Sequence, residues 1–219
     1  MIPMGMTALA IWGASGHARV VSAVAHLAKC WQIAGYIDDV SPQRRGSQFC
    51  GAPVLGGREA LPDLMRRGVR HVFLGFGANE ARSKLADELA TMGFEFPTLV
   101  HPSASIALDA HLGAGVYVGP GAIVNPAAIV GEQSIVNSGA IVEHDVRLAR
   151  SVHIGPAAVL AGWVQVDECA WVGAGALVRD RLTVGARAMV GMGSVVTRPV
   201  AAGSVVIGCP ARPMQRSPV

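Results

Sequence analysis

From Ile106 to Val196 a branched apolar residue stands at every sixth position, sixteen times in succession. A period of six matches neither the 3.6-residue turn of an α-helix nor the two-residue alternation of a strand, so neither element could bury this row. It is the period of a parallel β-helix, in which short strands stack coil upon coil around a continuous apolar interior. With about three hexads to a coil, the repeats make about five coils stacked at about 4.8 Å. Two positions before the branched residue stands a smaller one, such as Ala104, Ala122, Ser134, Ala140, Ala158, Ala176 or Ser194, which reads as a second inward row. Glycine follows the branched residue at Gly113, Gly119, Gly131, Gly155, Gly173, Gly185 and Gly191, and the expectation is that these mark tight corners. Apolar residues make up 51% of the chain and aromatics only 5%. The core must therefore be built from Val, Ala, Ile and Leu, as a narrow, regular interior requires.

The first hundred residues obey a different rule, with apolar runs alternating with helix-like stretches. Leu9 to Trp12 reads as a strand, Gly13 to Gly16 as a loop, and Ala18 to Ala28 as a helix with Val20, Val21, Val24 and Leu27 on one side. A strand follows near Ile33 to Ile37, then a helix from Arg58 to Arg67, a strand from His71 to Phe76, and a helix from Asn79 to Met92 that Gly93 stops. Val40 to Gly57, rich in Pro, Gly and Arg, reads as loop or irregular structure. Three strands separated by helices predict a small parallel, Rossmann-like sheet. The fold class is thus an α/β domain over residues 1–100, followed by a parallel β-helix over 101–219.

Several function classes are disfavoured at this level. Eighteen Lys and Arg stand against fifteen Asp and Glu without a basic block, so nucleic acid is not an expected partner. Cys30, Cys50, Cys169 and Cys209 lie far apart with no C-x-x-C pair, which indicates neither a zinc site nor a disulfide framework. The long uncharged stretch from Leu112 to Gly131 carries Gly, Pro and Asn at regular spacing, unlike a membrane helix. Met1 to Ala10 lacks the basic residues of a signal peptide. A cytoplasmic protein without a membrane or metal partner is the expectation.

Gly13 to Gly16 follows a strand and opens a helix, where backbone N–H groups can receive a phosphate or a sugar hydroxyl. Arg19 stands where a dinucleotide fold would want its third glycine, which disfavours a nicotinamide cofactor. Asp38 and Asp39 end the second strand; carboxylates there can accept hydrogen bonds from a base or ribose, and an Asp pair equally begins a turn.

The hexad ladder, Gly13-Ala14-Ser15-Gly16-His17, Glu143-His144-Asp145 and the tail Gly208-Cys209-Pro210-Ala211-Arg212 together resemble bacterial hexapeptide sugar acetyltransferases over nearly the whole chain. The nearest subgroup comprises sialic acid O-acetyltransferases and nucleotide-4-amino-sugar N-acetyltransferases acting on UDP-linked diamino sugars or GDP-perosamine. The resemblance implies a left-handed β-helix, a homotrimer, acetyl-CoA in the cleft between neighbouring helices, and a nucleotide sugar held by the N-terminal domain for bacterial surface glycan synthesis. It implies N-acetylation of an amino sugar, with O-acetylation of a sialic acid type sugar as the alternative.

Acetylating an amine requires a base to take a proton as nitrogen attacks the thioester. His144 matches the family's base; flanked by inward-facing Val142 and Val146, it lies on the exterior, beside Asp145, which can orient its ring. The resemblance adds Asn137 to the active site, places His153 and Gly162 near the acetyl-CoA, and assigns Gly173, Ala174 and Met192 to CoA through backbone groups and Arg212 to its phosphates. Gly162 lies eighteen residues, one coil, beyond His144, and is either a close-approach glycine or another corner residue. Asn137 equally suits a corner turn. His17, Gly77, Asn79 and Arg82 match family positions close to the nucleotide, together with Gly13, Ser15, Gly16, Asp38 and Asp39, while Asn79 also suits a helix N-cap. A zinc-dependent carbonic anhydrase on the same repeat would need three converging histidines, and His144 and His153 are nine apart. A non-enzymatic scaffold is the remaining option, which failure to bind CoA would favour.

Overall fold

The computed structural model describes residues 5–214, and the chain divides into two compact units with the boundary between Pro102 and Ser103. In the first unit the strands of the main sheet are Thr7–Trp12 (β1), Trp31–Ile37 (β2), Gln48–Phe49 (β3), Ala52–Gly56 (β4) and His71–Leu74 (β5), and the helices are Gly16–Leu27 (α1), Leu61–Arg66 (α2) and Asn79–Thr91 (α3). The sheet order is β3-β4-β2-β1-β5. All neighbours are parallel except β3, which runs antiparallel to β4.

Three local expectations are corrected. The segment expected to be irregular, Val40 to Gly57, contains β3 and β4. Buried Ala52, Val54 and Gly56 alternate with less buried Pro53 and Leu55, a period-two pattern that the Pro and Gly content masks. The helix expected from Arg58 begins as a 3-10 turn, Arg58–Ala60, and becomes α-helical only at Leu61. The buried face of α1 is Ala18, Val21, Ser22, Val24 and Ala25, while Val20 and Leu27 are 40% and 49% exposed. Small residues bring this helix close to its sheet, and Ser22 caps the contact by hydrogen bonding the Tyr36 hydroxyl at 2.7 Å.

The second unit is the parallel β-helix. Sixteen two-residue strands run from Ser105–Ile106 to Val195–Val196, each pairing with the strand eighteen residues away, as in Ile123↔Ile141 and Ile135↔His153. They form three faces. The first carries Ile123–Val124, Ile141–Val142, Val159–Leu160 and Leu177–Val178; the second Ile129–Val130, Arg147–Leu148 and Gln165–Val166; the third Ile135–Val136, His153–Ile154, Trp171–Val172 and Met189–Val190. The branched row from Val118 to Val196 is at most 2% exposed, and the second inward row, such as Ala122, Ser134, Ala140 and Ala158, is fully buried. Val205–Ile207 extends the third face beside Met189–Val190, and Arg212–Pro213 pairs antiparallel with it.

The glycine row has another cause than the one expected. None of the seven glycines that follow the branched residue has positive φ; the left-handed residue stands two places later, at Gly115, Gly121, Gly139, Gly175 and Gly193 and at non-glycines such as Ala127, Asp145 and Trp163. What the row avoids is collision between coils: a Cβ at Gly155 would lie 2.7 Å from the backbone nitrogen of Ala174, and one at Gly173 2.7 Å from that of Met192. Glycine there allows close stacking, and the turn itself is made two residues further on.

Candidate active site

In the first unit the chain leaves β1 for β2 on one side, while β5 lies on the other, so the sheet changes winding direction at β1. Open α/β sheets bind ligands at the carboxyl ends of their strands at such a point. A cleft of about 450 Å³ lies there, lined among others by Trp12, Gly13, Ser15, Asp38, Asp39, Arg44, Arg58 and Phe76. Gly13 has φ +108°, and a Cβ there would stand 3.1 Å from the carbonyl oxygen of Gly75, so the loop can pass only as glycine. α1 opens behind it with no acid in its first turn and no side-chain cap from Ser15, an arrangement that favours an anion at its N-terminus.

The two carboxylates differ in office. Asp38 is 7% exposed and is tied to its own loop, accepting the N–H groups of Val40 and Ser41 at 3.1 Å each, with Arg44 at 3.6 Å. Arg44 also donates to the carbonyl of Ala14 and so links two walls of the cleft. Asp39 accepts the Trp12 indole N–H at 3.3 Å and lies 3.7 Å from Arg58, whose guanidinium sits 5.5 Å above the Trp12 ring. Half-buried Phe76 in the same lining, with the accessible carboxylate of Asp39, can hold a planar heterocycle and receive its donors.

Of the nine residues expected to contact substrate, Gly13, Ser15, Asp38 and Asp39 line this cleft, and Gly16, His17, Gly77, Asn79 and Arg82 are not among its lining residues. A Cβ at Gly16 would meet open space. Asn79 does not cap α3: Ala78 is the cap residue, and the Asn79 side-chain oxygen accepts from Arg82 at 2.9 Å. Arg82, 1% exposed, also donates to the carbonyl of Phe76 at 3.1 Å, bracing the loop that carries Phe76. Burial, reinforced by the Arg82 charge, lowers the pKa of His17 to about 4, so that ring is neutral at pH 7.

On the β-helix, His144 stands at the tip of the corner between the first and second faces, with its side chain 53% exposed. Its Nδ1 pairs with Asp145 Oδ2 at 2.9 Å. A carboxylate only accepts, so Nδ1 is the donor of this bond, and it is Nε2 whose lone pair the neutral ring presents. The ring lies over Gly162: a Cβ there would stand 2.6 Å from Cε1 and 2.7 Å from Nε2 of His144. Gly162, which has no positive φ, is thus a close-approach glycine.

Asn137 and His153 form a second group, at 3.3 Å between Nδ2 and Nε2. Asn137 Oδ1 also accepts the backbone N–H of Ser138 at 2.8 Å, and His153 leans on Trp171 with ring centroids 6.2 Å apart. This group sits on the third face and its corner with the first, and Gly173, Ala174 and Met192 continue down that same corner. The expected site residues of this unit therefore occupy two different edges, one on each side of the first face. Arg212, exposed in the terminal hairpin, donates to the carbonyl of its neighbour Ala211 at 2.9 Å. Trp12, Arg44, Arg58 and Phe76 escaped sequence reasoning. Trp12 and Arg58 do carry a signal, since each borders a glycine at a strand end, but Arg58 becomes readable only once β4 is recognised.

A hexapeptide-repeat β-helix bearing a histidine–carboxylate corner, preceded by an α/β unit with a strand-end cleft, defines a sugar acyltransferase of the hexapeptide class. The PglD N-terminal domain family matches residues 8–89 and the GMPPB C-terminal domain family residues 94–208. PerB from Caulobacter crescentus, solved in complex with CoA and GDP-perosamine, shares 36% identity with a TM-score of 0.90, over 95% of this chain and 97% of that one. The acetyltransferase domain of PglB from Neisseria gonorrhoeae FA1090, solved with acetyl coenzyme A, shares 31% identity with a TM-score of 0.87, over 96% and 100% of the two chains. The UDP-N-acetylbacillosamine N-acetyltransferase of Bacillus subtilis (strain 168) is 34% identical over 114 residues, and this match spans 50% of each chain. The chain belongs to the family of PglD-type hexapeptide sugar N-acetyltransferases.

Proposed function

We propose that this protein transfers the acetyl group of acetyl-CoA to the amino group of a nucleotide-linked amino sugar, for bacterial surface glycan synthesis. The observation that carries the reading is the His144–Asp145 pair on its glycine floor, with Nδ1 committed to the carboxylate and Nε2 left to accept a proton. The amine nitrogen attacks the thioester carbonyl carbon, and Nε2 takes the proton released as the C–N bond forms. The tetrahedral intermediate then collapses, the C–S bond breaks, and the imidazolium returns its proton to the departing CoA thiolate. No acyl-enzyme is required. The strand-end cleft over residues 1–100 takes the nucleotide, with Asp39 against the base or ribose, and residues 101–219 carry the acetyl transfer.

The working form is a homotrimer. The outward side chains of the first face, Ile123, Ile141, Val159, Leu177 and Val195, make an apolar ladder with Leu177 46% exposed, and unpaired apolar stripes of this size mark association surfaces. If three copies turn this face to a common axis, the His144 edge of each meets the Asn137 and His153 edge of the next, which completes a site that one chain leaves divided. Gly173, Ala174, Met192 and Arg212 then border the acetyl-CoA groove. Among the described residues no helix is long and apolar enough to cross a membrane, and four free cysteines suit the reducing cytoplasm in which we place the enzyme.

The test is His144→Ala assayed with acetyl-CoA and a panel of nucleotide amino sugars. Turnover should fall by about 10² to 10⁴, the contribution of general-base catalysis, with CoA affinity and trimer mass unchanged. A variant that turns over normally, or that loses the trimer instead, refutes the assignment.

A further inference from the structure

Below His144 the same corner carries Gly162 and Trp163, then Arg179, Asp180 and Arg181, then Arg198. Trp163 holds φ +64°, yet the residue is 50% exposed. The other non-glycine corner residues in this conformation are small or polar. A bulky residue there bears the left-handed backbone penalty without a core contact to offset it, so folding does not account for a tryptophan at this place. Its backbone N–H donates to the carbonyl of His144 at 3.1 Å, which fixes it one coil below the histidine. The Arg181 guanidinium lies 5.7 Å from the centroid of its ring, and its Nε is 3.7 Å from Asp180 Oδ2.

The corner is also polar in charge. On the N-terminal side of His144 its residues are Ala107, Leu108 and Asp109, then Asn125, Pro126 and Ala127, with no basic group. On the C-terminal side three arginines answer one acid within three coils, a span of about 14 Å. An elongated ligand with an uncharged arm and an anionic end, its reactive terminus at His144, would be oriented by this gradient in one direction only.

We propose that Trp163 and Arg181 form a clamp for the pantetheine-diphosphate arm of acetyl-CoA. The indole face packs against the pantetheine chain, and Arg181, stacked on that indole, pairs with the diphosphate, while Arg179 and Arg198 add to the positive end. The clamp rests on the acetyl-CoA reading above, and it moves the anion contacts from the terminal hairpin to the corner that bears the catalytic histidine. Held this way, the thioester is delivered to Nε2 by the same edge that carries the base.

The experiment is calorimetric titration of the full-length protein with CoA, dephospho-CoA and pantetheine, for wild type, Arg181→Ala, Trp163→Ala and Trp163→Phe. Ala already occupies this backbone conformation at Ala127 and Ala157, so Trp163→Ala retains the fold. Arg181→Ala should weaken CoA and dephospho-CoA alike by about tenfold, the scale of a charge-assisted pair, and leave pantetheine unchanged. Trp163→Ala should weaken all three, with Trp163→Phe restoring most of the loss. Wild-type binding of all three to both alanine variants overturns the proposal, as does an Arg181→Ala loss confined to CoA, which would place that guanidinium on the 3′-phosphate. Failure of the wild type itself to bind CoA would strike the acetyl-CoA reading instead, so the two failures are distinguishable.

Discussion

Replacing Gly162 by Ala tests whether the imidazole position, rather than its mere presence, sets the rate. The added Cβ would stand 2.6 Å from Cε1 and 2.7 Å from Nε2 of His144, where ordinary contact begins near 3.4 Å. The ring must therefore lift by about 0.8 Å. It can do so, because the His144 side chain is half exposed and Gly162 has an ordinary backbone conformation that Ala adopts freely. Gly162 is buried, but the group its Cβ displaces is a half-exposed ring rather than packed core, so stability should change by no more than about 1 kcal/mol. Catalysis should not be so tolerant, since misplacing a reacting group by roughly 1 Å costs on the order of 10²-fold. Steady-state assays should show that loss in kcat, with KM for both substrates near the wild-type value. In a His144→Ala background the same change should cost nothing further, because the ring through which it acts is gone. Wild-type kcat in Gly162→Ala, or an additive loss in the double variant, would refute the reasoning.

Asp145 has φ +60°, which Asn tolerates, so Asp145→Asn should fold normally while losing the charge that stabilises the imidazolium; kcat should drop roughly 10²-fold, within the range for proton transfer, as steady-state kinetics will show. His17 supplies a pH test. With its pKa lowered from 6.5 to about 4 by burial and by Arg82, the unfolded chain binds a proton that the folded one refuses as pH falls from 6.5 towards 4. Stability is therefore intact above 6.5 and lost through that window, by up to roughly 3 kcal/mol in all. Urea melts at pH 7.5 and 4.5 should show this, and His17→Gln should flatten the difference. In the coil interior, Leu160 is fully buried between Val142 and Val178, so Leu160→Ala should cost about 2 to 5 kcal/mol by denaturant unfolding.

The β-helix was readable because its period is a one-dimensional property. Eighteen residues return the chain to the same place, so the neighbours of His144 could be named by addition, and Gly162 was among them. What addition does not reveal is why a residue stands where it does. The glycine row fell at the position of closest coil approach, and the left-handed turn fell two residues on, as at Ala157 and Gly175. Only the first use requires a missing side chain, as the distance from Gly155 to Ala174 shows, because residues such as Asp145 and Trp163 make the turn with theirs. The α/β unit was less legible because its cleft is assembled from four strand ends far apart in sequence. Missing β4 concealed Arg58, and with it the stack on Trp12 that shapes Asp39.

Division of the proposed site between two corners has a physical reason in the same geometry. A coil of two-residue strands has no loop long enough to bend a base and a positioning amide towards one point, and its interior is filled by the Val, Ala and Leu rows. Functional side chains can therefore stand only on outward faces and corners, and those of one chain point apart. His144 and Asn137 flank the apolar ladder of Ile123, Ile141 and Val159 from opposite edges, so the feature that separates them within a chain is the one that would join them between chains. In the proposed trimer, oligomerisation would be a condition of chemistry, not an addition to stability. Charge placed in the ladder by Val159→Asp should yield folded monomers by sedimentation, with the β-helix circular dichroism kept and turnover abolished. Monomers that retain turnover would show that one corner suffices.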